Sequence, residues 1–196
     1  MLPAHLIQDV VKPFKSIKMY KNLVETINNV TTFQNISEER KNILRPLIDF
    51  VQQKVNNSQE ISINFICTHN SRRSHLSQVW AQVAAAYYTI PNVHCYSGGT
   101  EETALFPKVA ETLTHQGLSI FKIADTDNPV SAFVAIMTCS QADGGCPFIA
   151  GAEKRIPITF EDPKISDNTQ EQSKVYADRS LQIATEMFYV FSKINR

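Results

Sequence analysis

Residues 61–74 read Ile-Ser-Ile-Asn-Phe-Ile-Cys-Thr-His-Asn-Ser-Arg-Arg-Ser. The run Ile61–Ile66 has the length and apolar content of a buried strand. Beyond Ser74, Leu76, Val79, Trp80 and Val83 share the apolar side of a helix predicted over 74–88. Between the two stand Cys67 and, after five intervening residues, Arg73. A loop at such a junction directs backbone N–H groups and a helix N-terminus at one point, which favours a bound anion. The same field favours the ionised form of a cysteine, so Cys67 is expected to act as a thiolate nucleophile. Arg73 adds a planar fork suited to two oxygens of phosphate or arsenate. Thr68, His69, Asn70, Ser71, Arg72, Arg73 and Ser74 are the expected oxyanion-binding residues. Asn70 tolerates left-handed backbone geometry, and the Ser74 hydroxyl is placed to donate to the Cys67 sulfur. The spacing alone is a weak pattern; the strand before it and the helix after it give it weight.

Outward from this loop, strands alternate with helices. Val93–Tyr96 reads as a short strand ending at Ser97-Gly98-Gly99-Thr100, and Pro107–His115 as a helix stopped by Gly117. Phe133–Thr138 is a near-continuous apolar run, as for a strand covered on both faces. Lys154–Ile158 is expected to be a last short strand and Tyr176–Ile194 a long closing helix. That order implies an α/β fold, a doubly wound parallel sheet flanked by helices, with ligands at the strand C-terminal ends. Cys67 and Cys139 both fall at such ends.

Residues 1–58 contain no convincing strand. A helix is expected around Tyr20–Asn28, followed by a polar stretch to Asn35. Ser37 then reads as an N-cap before Glu38 and Glu39. Leu44, Leu47, Ile48, Val51 and Val55 recur at helical spacing, and Pro46 among them predicts a kink or a later start. The expected organisation is a helical N-terminal extension, 1–58, and a catalytic domain, 59–196.

Lysine plus arginine and aspartate plus glutamate each total 19, so no global basic field suggests a nucleic-acid partner. Hydrophobic residues at 43% and charged residues at 19% describe an ordinary globular chain. The N-terminal stretch lacks a signal-like apolar region and no run approaches membrane-spanning length, so no membrane partner and a cytoplasmic location are expected. Four cysteines are too few for a disulfide scaffold at this size.

Cys67–Ser74 resembles the phosphate-binding loop of the low-molecular-weight protein tyrosine phosphatase fold, which thioredoxin-coupled arsenate reductases share. Tyr96-Ser97-Gly98-Gly99-Thr100-Glu101 is similar to the family's Ser-Ala-Gly-Thr turn, and Asp162-Pro163 to its general-acid pair. The resemblance covers about residues 61–194. Cys139 and Cys146, seven positions apart across Gly144-Gly145 and followed by Pro147, resemble the redox loop of the thioredoxin-linked reductases. Zinc binding fits them less well, because the spacing is long and no paired histidine follows. Two inert cysteines are the remaining alternative, and Cys95, inside a strand, reads as core.

The resemblance implies an arsenate reductase in which Cys67 attacks arsenate, Arg73 binds it and Asp162 protonates the departing oxygen. Cys139 and Cys146 would then resolve the sulfur chemistry for a thioredoxin-like reductant. The alternative it implies is a protein tyrosine phosphatase acting on phosphotyrosine or small phosphoesters through a phosphocysteine. A non-catalytic anion sensor using Arg72 and Arg73 is the third reading. No cofactor or metal is implied. Departures from the family pattern are His69 for glycine, Arg72 for cysteine, Gln78 for a glutamate associated with potassium, and Lys164-Ile165 for paired tyrosines. Potassium is therefore not carried over.

Overall fold

The computed structural model describes residues 21–101, 103–118, 128–146 and 148–196. Four parallel strands, β1 (Ile61–Cys67), β2 (Val93–Gly99), β3 (Phe133–Met137) and β4 (Ala152–Pro157), form one sheet in the order β2-β1-β3-β4. The helices are α1 (Lys21–Val30), α2 (Glu38–Asn56), α3 (Arg73–Tyr87), α4 (Pro107–His115), α5 (Ser140–Gly145) and α6 (Gln172–Ser192). A 3₁₀ turn spans Pro163–Ser166. Because β2 and β3 leave β1 on opposite sides, the crevice of this doubly wound sheet opens at the C-terminal end of β1. Cys67 is the last residue of that strand.

Alternation along the strands divides the core between two faces. Ile61, Ile63, Phe65, Val134 and Ile136 join a large cluster with Leu76 and Trp80 of α3 and Phe188 and Phe191 of α6. Ile66, Phe133, Ala135 and Met137 face the other way, in a small cluster with Cys67, Cys139 and Ala142. Burial on both faces accounts for the unbroken apolar run in β3. Trp80 is enclosed, and its indole N–H donates to Ser180 Oγ at 2.9 Å. Ser180 in turn donates to Gln116 Oε1 at 2.6 Å, so no polar atom of that trio is stranded.

The N-terminal helices share this core. Ile27, Val30, Leu44, Leu47, Phe50 and Val51 are buried in the large cluster, and Arg40 makes a bidentate pair with Glu186 of α6. Ser37 caps α2, accepting from the Arg40 N–H at 3.2 Å, so the helix begins there and continues through Pro46. The later start predicted from Pro46 does not occur, since packing on both sides of the proline outweighs the one backbone bond it removes. β2 runs three residues past the expected end, because Ser97, Gly98 and Gly99 continue the parallel register opposite Phe65, Ile66 and Cys67. Among the described residues no helix is long and apolar enough to cross a membrane.

Candidate active site

The loop after β1 is held from outside by its carbonyl oxygens. Thr100 N–H donates to Cys67 O at 3.3 Å, Glu101 N–H to Thr68 O at 2.9 Å and Phe106 N–H to Ser71 O at 3.0 Å. The Thr103 hydroxyl donates to His69 O. In a trans peptide the N–H points opposite to the carbonyl. The N–H groups of Thr68, His69, Asn70 and Arg72 are thereby turned to the other side, the arrangement of an anion-binding nest. Asn70, at φ 43°, is the loop residue in the left-handed region, and His69 in the family's glycine position is not. Gly99 lies so close that a Cβ there would meet Asn70 N at 2.8 Å.

Cys67 Sγ is 3.1 Å from Ser74 Oγ, and Ser74 donates to Asn70 Oδ1 at 2.9 Å. One hydroxyl proton cannot serve both. With Ser74 donating to Asn70, Cys67 is the thiol donor. For a thiolate, Asn70 must present its NH₂ to Ser74, freeing the hydroxyl proton for sulfur. The residue types at positions 67, 70 and 74 can therefore accommodate both protonation states of sulfur with one amide flip.

The arginines depart from the sequence expectation. Arg73 does not hold its fork free: Nη1 donates to Phe160 O at 3.0 Å and Nη2 to Asp162 Oδ2 at 2.5 Å, leaving Nε without an acceptor. An anion that takes this guanidinium must displace Asp162. The Arg72 guanidinium is committed to partners within the protein, Ser71 Oγ among them at 3.3 Å, so its backbone is the part left to serve an oxyanion there. Arg72 Nε donates to Tyr176 OH at 2.7 Å, Nη2 to Asp167 Oδ2 at 2.6 Å, and the guanidinium stacks 4.0 Å from the Phe106 ring centroid. Burial opposes the charge of Asp167, but hydrogen bonds from Tyr176 and Gln172 and the Arg72 charge hold its carboxyl below the ordinary value. Burial and the Asp167 hydrogen bond push the Tyr176 phenol up. Nothing in the sequence flagged this clamp, because Arg72 and Tyr176 are 104 residues apart.

Asp162 caps the 3₁₀ turn, with Oδ1 accepting from Lys164 N–H at 3.1 Å. His69 Nδ1 lies 2.9 Å from Glu101, and His75 Nδ1 lies 3.0 Å from Ser97 Oγ beneath the loop. A cavity of about 440 Å³ opens on Arg73, Asp162, Phe160 and Ser140. Cys67 is not part of its lining and is itself buried, so this cavity lies on the arginine side of the loop.

All four cysteines are free thiols. Cys139 caps α5, its sulfur accepting from Ala142 N–H at 3.3 Å, and lies 3.5 Å from the Thr68 hydroxyl of the anion loop. Cys146 ends the same helix and packs, half-buried, against the cluster that contains Cys67 and Cys139. Arg155 holds that end, donating to Cys146 O at 3.1 Å and pairing with Asp143 at 2.5 Å. Cys95 is core, and burial pushes its thiol up. The loop at positions 67–74, the Asp162 turn and the Cys139 end of α5 are thus brought together.

No protein-family model matches the chain. The arsenate reductase of Bacillus subtilis (strain 168) is 29% identical over 121 residues, 60% of this chain and 84% of that protein. The arsenate reductase of Staphylococcus aureus (strain Newman) is 31% identical over 107 residues, 52% of this chain and 78% of that protein. A crystal structure of a YwlE mutant from Bacillus subtilis has a TM-score of 0.53 at 15% identity, covering 68% of this chain and 97% of that one, a likeness of fold alone. Fold, loop and relatives together place the chain in the low-molecular-weight protein tyrosine phosphatase superfamily, to which it belongs. Within that superfamily, its curated relatives include the two arsenate reductases.

Proposed function

We propose that this is an enzyme of tetrahedral oxyanions that reduces arsenate to arsenite through a thiol relay, the chemistry carried by residues 59–196. The Cys67 thiolate attacks arsenic, loop N–H groups and Arg73 hold the oxygens, and Asp162 gives its proton to the oxygen that leaves as water. Cys139, as thiolate, then attacks the Cys67 sulfur. The arsenic–sulfur electron pair goes to arsenic, which leaves as arsenite, and a Cys67–Cys139 disulfide forms. Cys146 attacks Cys139 and frees Cys67. A thioredoxin-like dithiol of the cytoplasm reduces the Cys139–Cys146 disulfide, and no bound cofactor takes part.

The observation that carries this reading is the grouping of three thiols. Cys67 and Cys139 share one buried cluster and meet through Thr68, and Cys146 is the other end of a single short helix. Purified protein with thioredoxin, thioredoxin reductase and NADPH should oxidise NADPH only when arsenate is present. Absence of that dependence removes the reading.

A second reading rests on the pairing of Arg73 with Asp162, which sets a general acid beside the anion fork whatever the oxyanion. In it, Cys67 displaces the alcohol of a phosphoester, Asp162 protonates the leaving oxygen, and water then releases inorganic phosphate from sulfur as Asp162 takes its proton. Cys146→Ser separates the readings. It should abolish repeated turnover of arsenate and spare hydrolysis of an aryl phosphate.

A further inference from the structure

The cavity beside Arg73 contains a positive charge that the proposed chemistry does not use. Three guanidiniums line it, from Arg40, Arg73 and Arg179. Arg40 is matched by Glu186, bonded at 2.9 and 2.7 Å, and Arg73 by Asp162 at 2.5 Å. Arg179 has no carboxylate within ion-pair distance among the described residues. It donates to Gln182 through Nη1, and its Nε is buried without an acceptor. Burial, together with the charges of Arg73 and Arg40, holds its guanidinium below the ordinary value although Glu161 and Glu186 work the other way. A half-buried guanidinium with no ion-paired carboxylate and a sealed, unbonded Nε gains when an anion comes to it.

We propose that this cavity is a second anion subsite, built on Arg179, that takes an acidic substituent of a small organic phosphomonoester whose phosphoryl group lies on the Cys67–Arg73 loop. The inference rests on the anion-loop reading that both functional proposals share, and it names the substrate class for the second. Ser140 and Gln141, at the start of α5, and Gln182, on α6, add neutral polar groups to the walls. Glu161 also lines the cavity but is exposed, and Asp162 is already held by Arg73. A volume of about 440 Å³ falls in the range of small-molecule sites. Arsenate alone fills one anion site, whereas a molecule with two separated acids spans both.

Calorimetry on the full chain carrying Cys67→Ser, which binds without turnover, tests this. The ligands are phenyl phosphate, its 2-, 3- and 4-carboxy derivatives, and 1,3- and 1,4-phenylene bisphosphate. At least one acid-bearing ligand should bind about tenfold or more tightly than phenyl phosphate, the worth of one charge-assisted contact. Comparison of the carboxylate and bisphosphate arms identifies which acid is preferred. Adding Arg179→Gln should reduce that gain to about twofold or less, and Arg179→Lys, which keeps the charge, should retain part of it. The proposal is overturned if no derivative gains, or if the gain survives Arg179→Gln or is lost equally in Arg179→Lys. Failure of phenyl phosphate itself to bind would remove the anion-loop reading as well, a result distinct from a missing gain.

Discussion

Replacing Arg72 by alanine should destabilise the protein by about 3 kcal/mol without removing any group proposed to touch the oxyanion. Taking one partner from a buried ion pair costs roughly 3–5 kcal/mol, and an exposed pair is worth about 0–1 kcal/mol. The Arg72 and Asp167 side chains are 12% and 16% exposed, which places the pair near the lower end of the buried range. Loss of the stack on Phe106, 4.0 Å away, adds roughly 0.5–1 kcal/mol. For a chain of this size the midpoint of thermal unfolding should fall by about 6–12 °C. The pH dependence gives a second reading of the same clamp. Asp167 is depressed in the folded state, so its contribution is complete above the unfolded aspartate value of 3.8 and is lost as the pH falls below it. Arg72 is one cause of the depression, so acid sensitivity should weaken in Arg72→Ala, while the hydrogen bonds from Tyr176 and Gln172 remain. Urea unfolding at neutral pH and at pH 3–4 measures both effects. A loss under about 0.5 kcal/mol, the range of an ordinary surface substitution, refutes the clamp. So does an unaltered acid dependence.

Other expectations follow from particular contacts. Trp80→Ala should cost about 3–5 kcal/mol in urea unfolding, because it leaves a cavity in the core and strips Ser180 of its indole donor. Gly99→Ala would force a Cβ to within 2.8 Å of Asn70 N, so the loop must shift. Arsenate or phosphate affinity should then fall by roughly tenfold or more, read by competition with an aryl phosphate. In the native protein a charged alkylating reagent should modify half-buried Cys146 first and Cys95 last, by peptide mapping over time, since burial both hides the Cys95 thiol and pushes it up. Early modification of Cys95 would contradict its placement in the core.

The elements around the loop were legible because local signals and tertiary packing agree there. Ile61–Ile66 is a short apolar run of strand length, Pro107 and Gly117 punctuate α4, and Phe133–Met137 is apolar on both faces because both faces are covered. Of the two outcomes Pro46 suggested, the later start does not occur, since its local penalty is outweighed by Leu44, Leu47 and Phe50 packing around it. The candidate site was legible as a set of residue types, and Cys67, Ser74 and Asn70 lie together as their spacing suggested. Arg72 and Arg73 are adjacent and chemically identical, so sequence alone could not tell which guanidinium turns to Asp162 and which to Asp167. That choice depends on side chains of the 3₁₀ turn and α6, some ninety to a hundred positions away. Arg179 was invisible for a related reason. It is an unremarkable residue in a long helix until Arg40, from the N-terminal helices, and Arg73 converge on the same cavity.

The proposed relay is tested most directly by one turnover without an external reductant. Reduced protein mixed with excess arsenate should yield one arsenite per chain, lose two thiols and show a Cys139–Cys146 disulfide on peptide mapping, with Cys67 free again. In Cys146→Ser the mapped bond should instead join Cys67 to Cys139. If all four thiols persist after exposure to arsenate, or if the only bond formed involves Cys95, sulfur does not pass its electrons to arsenic by this route.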